Sequence, residues 1–158
     1  MPADKVVQVS QTKPLHGEIP VYGQYTFGIA GERFFREIKD NGRIMGLRCE
    51  RCNLTYVPPR IYCERCFNEL QAWIEVGGRG KVHTYTIAHF DLDGARLPEP
   101  IIVAMVQIDG VCGGIVHRLG EVRLEETRIG MPVEAVFKPK AQRTGSILDI
   151  EYFKPQGK

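Results

Sequence analysis

The sequence lacks a long apolar run, a strong excess of one charge and the common signatures of catalysis. No apolar stretch approaches the roughly 20 residues that a helix needs to cross a bilayer, and MPADKVVQVSQTKP at the N-terminus contains no apolar block of signal-peptide length. The motifs GxSxG and HExxH, a Walker-type loop and the dinucleotide-binding fingerprint are also missing. We therefore expect a cytoplasmic, globular protein with no contact to a membrane and none of these familiar catalytic centres.

Cysteine is scarce, and four of the five cysteines stand in two copies of one tetrapeptide, within CERCNLTYVPPRIYCERC. Thiols stay reduced in the cytoplasm, so paired CxxC motifs there indicate metal ligands before they indicate disulfides. Each CxxC turn supplies two thiolates, and two such turns complete a tetrahedral zinc shell. The sequence predicts one structural zinc ion per chain, with these ligands: Cys49, Cys52, Cys63 and Cys66.

Three other interpretations of the two motifs stay open: a pair of disulfides, a redox-active CxxC and an iron site. Redox CxxC motifs usually occur singly on a βαβ unit, whereas iron can replace zinc in a four-thiolate ribbon. A closed shell of four cysteines leaves no coordination position for a substrate. We therefore expect the metal to hold the fold and to take no part in catalysis.

Three segments of different character follow one another, and together they predict a mainly β protein. Residues 1–29 are polar and interrupted by Gly and Pro, which indicates an irregular N-terminal arm. Residues 30–70 hold a short helix and then a rubredoxin-like zinc ribbon, in which the ten residues between the CxxC motifs are expected to run out and back through a turn at Pro58-Pro59. Residues 71–158 show β patterns throughout.

The short helix is predicted from GERFFREIKDNG. Phe34, Phe35 and Ile38 form one apolar stripe at helical spacing, and Asn41-Gly42 is a stop signal. We expect this helix to cap the ribbon.

The segment 71–158 contains five runs rich in β-branched or aromatic residues: WIEVGGRGKVHTYTIAHFD, IIVAMVQID, CGGIVHRLG, VEAVFKPK and ILDIEYFKP. Five antiparallel strands in a segment of this length fit an OB-fold barrel. Its first strand is expected to be long and bent, with glycines at 77, 78 and 80 permitting the bend. A β-sandwich and an SH3-like barrel remain alternatives on pattern alone.

Two groups of residues in the β segment are candidate chemical sites. Cys112 and His117 resemble a nucleophile and its base, but their odd spacing puts them on opposite faces of a regular strand unless Gly113-Gly114 forms a bulge. We therefore expect no catalytic residue in the chain. One face of the long first strand is expected to carry His83, Tyr85, Ile87 and His89. This face is either a polar ligand surface or simply a set of half-exposed strand residues.

A barrel beside a zinc ribbon raises the question of nucleic acid binding. Single-strand binders need a basic groove, because phosphate neutralisation dominates their affinity. Residues 71–158 carry equal numbers of basic and acidic side chains, and this balance disfavours nucleic acid as a partner. Near the C-terminus basic residues outnumber acidic ones, which fits either a compact polyphosphate or a solvated hairpin: Lys138, Lys140, Arg143, Lys154 and Lys158.

Four stretches between Phe34 and Phe153 carry a family likeness: FFREIKDNGRIMGLRCERCNLTYVPPRIYCERC, LQAWIEVGGRGKVHTYT, EPIIVAMVQIDG and TRIGMPVEAVF. Their order resembles the zinc-ribbon plus OB-fold acyl-CoA-associated proteins, catalogued as domain-of-unknown-function family thirty-five. Zinc knuckles in that family often have Gly after the second cysteine, where this chain has Asn53 and Phe67-Asn68. Asn tolerates the left-handed conformation that Gly supplies, so we expect the metal site to be intact.

The resemblance implies a non-catalytic accessory subunit of a thiolase-type complex. Such proteins resemble small subunits docked on thiolases, hydroxymethylglutaryl-CoA synthase or thiolase-like aldolases, where they hold the CoA part of an acyl-CoA. The resemblance also implies a role in aromatic, steroid or other acyl-CoA metabolism. Charge and fold alone make Lys138, Lys140 and Arg143 the candidate contacts to CoA phosphates. The alternatives are a single-stranded nucleic-acid-binding protein and, third, a free-standing acyl-CoA hydrolase.

Overall fold

The computed structural model describes residues 17, 23 and 25–157. Most of the predicted arm at 1–29 lies outside these residues. In the described part, helix α1 (Gly28–Asn41) is followed by nine strands and three short 3-10 turns, at Leu124–Glu126, Lys140–Gln142 and Ile147–Asp149. The strands are β1 (Met45–Cys49), β2 (Leu54–Val57), β3 (Ala72–Glu75), β4 (Arg79–Phe90), β5 (Arg96–Ile108), β6 (Cys112–Gly113), β7 (Ile115–Arg118), β8 (Pro132–Phe137) and β9 (Ile150–Pro155).

The strands form a ribbon sheet in the order β3-β1-β2-β6 and a barrel sheet in the order β7-β5-β4-β8-β9. The ends of the barrel sheet meet, because Leu119 and Phe153 form a parallel bridge and the Gly120 N–H donates to the Phe153 carbonyl at 2.9 Å. Closure of five strands in this order gives an OB-fold barrel. The predicted mainly β class, zinc ribbon and OB fold are therefore confirmed.

Helix α1 joins the two cores. Its buried residues recur every fourth position, at Ala30, Phe34 and Ile38, which places them on one face. Ala30 packs in the ribbon core, whereas Phe34 and Ile38 pack in the barrel core. The helix therefore plugs the barrel as well as covering the ribbon that it was expected to cap.

Only the C-terminal end of α1 lies where the sequence predicted it. The helix ends at Asn41, and Gly42 has a φ of 64° while its N–H donates to the Ile38 carbonyl at 3.0 Å. This is the predicted left-handed stop. The helix begins at Gly28, before the predicted segment. Phe35 is only half-buried, and its ring centroid lies 5.3 Å from that of Phe27.

Among the described residues, no helix has the length and apolar character that crossing a membrane would need.

The predicted long first strand of the barrel is divided into two strands. Gly77 has a φ of 73° and interrupts the run between β3 and β4. Strand β3 turns away and pairs with β1, with Trp73 opposite Leu47, so the WIE stretch belongs to the ribbon sheet. Gly80 lies in β4 where a Cβ would come within 2.3 Å of the Gln107 carbonyl oxygen, so only glycine fits this close strand approach. The domain boundary between residues 70 and 71 stays a prediction.

Candidate metal centre and ligand surface

Each CxxC motif lies at the tip of its own short hairpin. The first knuckle joins β1 to β2, and Cys49 pairs with Leu54 across it. The second lies between Tyr62 and Glu69, which form an isolated bridge. The prediction that the ten residues between the motifs form an out-and-back ribbon is therefore wrong, because residues 54–57 pair with β1. Strand β2 ends before Pro58-Pro59, since proline has no N–H to continue the ladder.

The four sulfur atoms fit one tetrahedral ion. All four Sγ atoms lie within 4.8 Å of one another, and those of Cys49 and Cys66 are 3.6 Å apart. A tetrahedron with Zn–S of about 2.3 Å requires sulfur separations of about 3.8 Å. The four thiols are free, so the alternative of a pair of disulfides is not the arrangement in this structure. When bound, zinc would join the two knuckles, held by the thiolates of Cys49, Cys52, Cys63 and Cys66.

The backbone after each knuckle turns into the left-handed region. Asn53 has a φ of 53° and Phe67 a φ of 54°, each directly after the second cysteine of its motif. The Asn53 side chain also accepts a hydrogen bond from the Arg48 guanidinium. Asn53 therefore adopts the left-handed conformation that was expected at this position. Phe67 carries a bulky side chain in a conformation that favours glycine, and its ring remains exposed.

Tyr56 sets the electrostatics of the buried side of the centre. Its hydroxyl lies 3.2 Å from the Cys63 Sγ, and both residues are fully buried. Donation of this hydrogen bond lowers the pKa of Cys63 to about 6 and raises the pKa of Tyr56 to about 12. The Arg60 guanidinium stacks over the Tyr56 ring at 4.6 Å. The arrangement therefore favours a thiolate at Cys63, which is the form that binds metal.

The pKa of Cys52 is raised, in contrast to that of Cys63. A hydrogen bond with Cys66 raises the pKa of Cys52 to about 12, because the neighbouring sulfur disfavours a second negative charge. A bound cation reverses this preference, since coordination deprotonates thiols outright. Four sulfurs this close together are thus arranged for a metal ion.

The candidate phosphate contacts lie on the loop between β8 and β9. Lys140 is exposed and Lys138 is half-buried. Arg143 is committed to the protein: its Nε donates to the Lys138 carbonyl at 2.6 Å, and its guanidinium stacks over Phe137 at 5.7 Å. It also covers Gly42, where a Cβ would come within 2.6 Å of Nη1. All three basic residues lie on one loop, and their contact with CoA stays a prediction.

Asp149 holds this loop in place, and the sequence reasoning missed it. The residue is 1% exposed, and its carboxylate accepts the backbone N–H groups of Thr144, Gly145 and Ser146, the shortest at 2.7 Å from Gly145. Burial alone would raise the pKa of Asp149, but these hydrogen bonds outweigh it and hold the pKa below its usual range. The signal was present as the capping-box pattern Ser146 to Asp149.

Cys112 and His117 lie in different sheets. Cys112 is in β6, opposite Tyr56 in the ribbon sheet, whereas His117 is in β7 of the barrel sheet. His117 is 7% exposed, and its Nε2–H donates to the Ile147 carbonyl at 3.3 Å, while burial lowers its pKa. The pair is therefore not arranged as a nucleophile and base, and the absence of a catalytic residue stays a prediction.

The polar face predicted on the first barrel strand is interrupted by a β-bulge. The register with β5 shifts between Val82 and Thr84, so Tyr85 lies opposite the buried Ala104. The Tyr85 hydroxyl donates to the Thr127 carbonyl at 3.1 Å. The extra residue, His83, changes the parity of the strand, so His83, Tyr85, Ile87 and His89 do not form one continuous face.

Comparison with known proteins identifies the family. The model of the ChsH2 rubredoxin-like zinc ribbon domain matches residues 36–70, and that of the ChsH2 C-terminal OB-fold domain matches residues 73–138. A DUF35 domain-containing scaffold protein of Methanocaldococcus jannaschii is 32% identical over 107 residues, covering 67% of this chain and 75% of that protein. The chain belongs to the DUF35 family.

Two solved structures share the DUF35 fold with this chain. A DUF35 protein of unknown function from Sulfolobus solfataricus is 26% identical with a TM-score of 0.62, covering 82% of this chain and 85% of that one. A chain of the Ltp2-ChsH2(DUF35) aldolase is also 26% identical, with a TM-score of 0.58 and coverage of 78% and 93%.

A longer relative carries a different name. The probable enoyl-CoA hydratase alpha subunit of Thermomonospora curvata is 28% identical over 100 residues, which covers 63% of this DUF35 chain and 31% of that protein.

Proposed function

We propose that the chain is a non-catalytic accessory subunit that binds acyl-CoA beside a thiolase-type catalytic subunit. The observation that carries this proposal is the likeness to a chain of the Ltp2-ChsH2(DUF35) aldolase, together with relatives named scaffold proteins. The closed shell of four thiols supports it, because such a site has no open position for a substrate. The thioester chemistry therefore belongs to the partner.

The CoA phosphates would bind at the loop between β8 and β9. The Asp149 carboxylate fixes the backbone from Thr144 to Ser146, and the Asp149 carbonyl accepts the Lys138 N–H at 2.9 Å, so the loop that carries Lys138 and Lys140 is held near both ends. Ammonium groups form charge-assisted hydrogen bonds with phosphate oxygens. Arg143 would add to the positive potential, but its Nε is already bound to the Lys138 carbonyl.

The first experiment asks whether the chain works with a partner. The tagged chain is purified from its native cells, co-purifying proteins are identified by mass spectrometry, and acyl-CoA thiolysis is assayed with each component and with both. We expect a thiolase-type subunit, no turnover by the chain alone, and faster turnover by the pair than by the partner. Turnover by the chain alone, or a partner of another class, would refute the accessory role.

The second experiment tests the phosphate contacts in the assembled complex. The double variant Lys138→Ala/Lys140→Ala should bind CoA about tenfold more weakly in calorimetry, since two charge-assisted contacts are lost. Lys81→Ala is the matched control, because Lys81 is exposed on β4 outside the loop. Arg143 is left unchanged, since its loss would loosen the loop itself. Equal affinity in the double variant and the control would refute the contacts and leave the accessory role standing.

A further inference from the structure

The hairpin of β4 and β5 extends beyond the barrel as a two-stranded arm, residues 88–101. Strand β8 pairs with β4 only at Arg79–Lys81, and β7 pairs with β5 only at Val103–Val106. The β4–β5 ladder nevertheless continues to Ala88 opposite Ile101 and Phe90 opposite Arg96. Among the described residues, no third strand pairs with the arm. Two lone strands gain little stability by themselves, so the arm does not serve the barrel core.

The arm carries large apolar side chains in solvent. Phe90 is 59% exposed, Leu92 is fully exposed and Ile101 is 42% exposed. The turn that presents Leu92 is well defined, because the Asp91 carboxylate accepts the N–H groups of Asp93 at 3.0 Å and Ala95 at 2.8 Å. A structured turn that holds an apolar side chain outward is suited to insertion into a pocket.

The charges of the arm restrict what it can contact. The arm carries three carboxylates, at Asp91, Asp93 and Glu99, and one guanidinium, at Arg96. Within the described chain, none of these four side chains forms an ion pair. The arm therefore has an apolar tip among mainly negative charges. Such a tip is complementary to an apolar cleft with a basic rim.

Two prolines shape how the arm can bind. Pro98 and Pro100 lie on the β5 side of the arm. Because they have no N–H, they interrupt the hydrogen-bonding edge and oppose addition of another strand there. Contact through the side chains of the tip is therefore favoured over extension of the sheet.

We propose that this arm anchors the chain to the thiolase-type subunit by inserting Phe90 and Leu92 into an apolar cleft with a basic rim. The partner's identity rests on the proposed function, whereas the arm itself follows from the exposed side chains and their charges. The arm emerges from β4 and β5, while the candidate phosphate loop joins β8 to β9. Docking and CoA binding would thus use different elements of the barrel.

The test measures the affinity of the purified chain for the thiolase-type subunit that co-purifies with it. Phe90→Ser/Leu92→Ser should weaken binding at least tenfold, because two anchors lose their buried apolar area. Phe67→Asn is the matched control: it removes another exposed ring, on the second zinc knuckle, and Asn suits its left-handed backbone. Thermal unfolding should show no loss of stability in either variant.

A second variant tests the charges. Asp93→Asn/Glu99→Gln should slow association and reduce its dependence on salt, as loss of steering charges does. A photo-crosslinking residue at position 92 should attach to the thiolase-type subunit. Wild-type affinity in the Phe90/Leu92 variant, or a crosslink to a second copy of this chain, would overturn the docking proposal while leaving the accessory role intact. If the wild-type chain itself does not bind the thiolase-type subunit, both proposals fail.

Discussion

Replacing Asp149 by Asn should destabilise the protein far more than a single conservative change usually does. The carboxylate is 1% exposed and accepts three backbone N–H groups from Thr144, Gly145 and Ser146. Asparagine keeps one acceptor oxygen and turns its NH₂ group, which can only donate, toward the remaining donors. At least one N–H of the loop would then lack a partner.

The size of the effect follows from the hydrogen bonds that are lost. Bonds to a charged group contribute about 1.5–3 kcal/mol each. Loss of one to two of them lowers the free energy of unfolding by about 1.5–6 kcal/mol. For a chain of this size, each kcal/mol lowers Tm by about 2–4 °C, so we expect a decrease of about 3–24 °C.

The assay is denaturant unfolding of Asp149→Asn beside Asp91→Asn. Asp91 also accepts two backbone N–H groups, but it is exposed at the hairpin turn, so its replacement should cost less than about 1 kcal/mol. A loss below about 0.5 kcal/mol at Asp149 would refute the role of this carboxylate in holding the loop.

The pH dependence provides an independent check. The pKa of Asp149 is lowered in the folded protein, whereas an unfolded aspartate has a pKa of about 3.9. The carboxylate therefore stabilises the fold above about pH 4, and this contribution disappears as the pH falls through the lower folded pKa. The gap between wild type and Asp149→Asn should be largest near neutrality and shrink in acid. Acid also releases metal from thiolates, but it does so in both proteins. A gap that is constant with pH would contradict the assignment.

Three further predictions concern the metal, the core and nucleic acid. Protein purified without added metal should contain one equivalent of zinc and iron combined by elemental analysis, and less than half an equivalent with an ordered ribbon would contradict the four-thiolate site. Phe34→Ala should lower the free energy of unfolding by about 3–5 kcal/mol, because Phe34 is 2% exposed in the barrel core; Phe35→Ala, at a half-buried position, should cost less in the same denaturation series. A mixed-sequence single-stranded oligonucleotide should bind weakly or not at all, and micromolar binding at physiological salt would favour the nucleic-acid alternative.

Features that depend on neighbouring residues could be predicted from the sequence alone. The CxxC spacing brings two thiols together within one turn, so the metal ligands need little knowledge of the rest of the chain. The helix stop at Gly42 depends on one left-handed residue. The capping box around Asp149 spans only four residues and was equally visible in the sequence, although it was not predicted. The alternation of apolar residues likewise identifies strands, and their number fits an OB-fold barrel without excluding a β-sandwich or an SH3-like barrel.

Features that depend on distant strands were decided by the tertiary structure. The WIE stretch joins the ribbon sheet because Trp73 pairs with Leu47, and no local pattern shows which sheet a strand will join. A bulge at His83 changes the parity of β4, and one extra residue moves every later side chain to the other face. The Arg143 guanidinium covers Gly42 because the loop after β8 packs onto the end of α1. In each case the partner lies far away in sequence, so strand register and loop packing determine the contact, and local patterns contain neither.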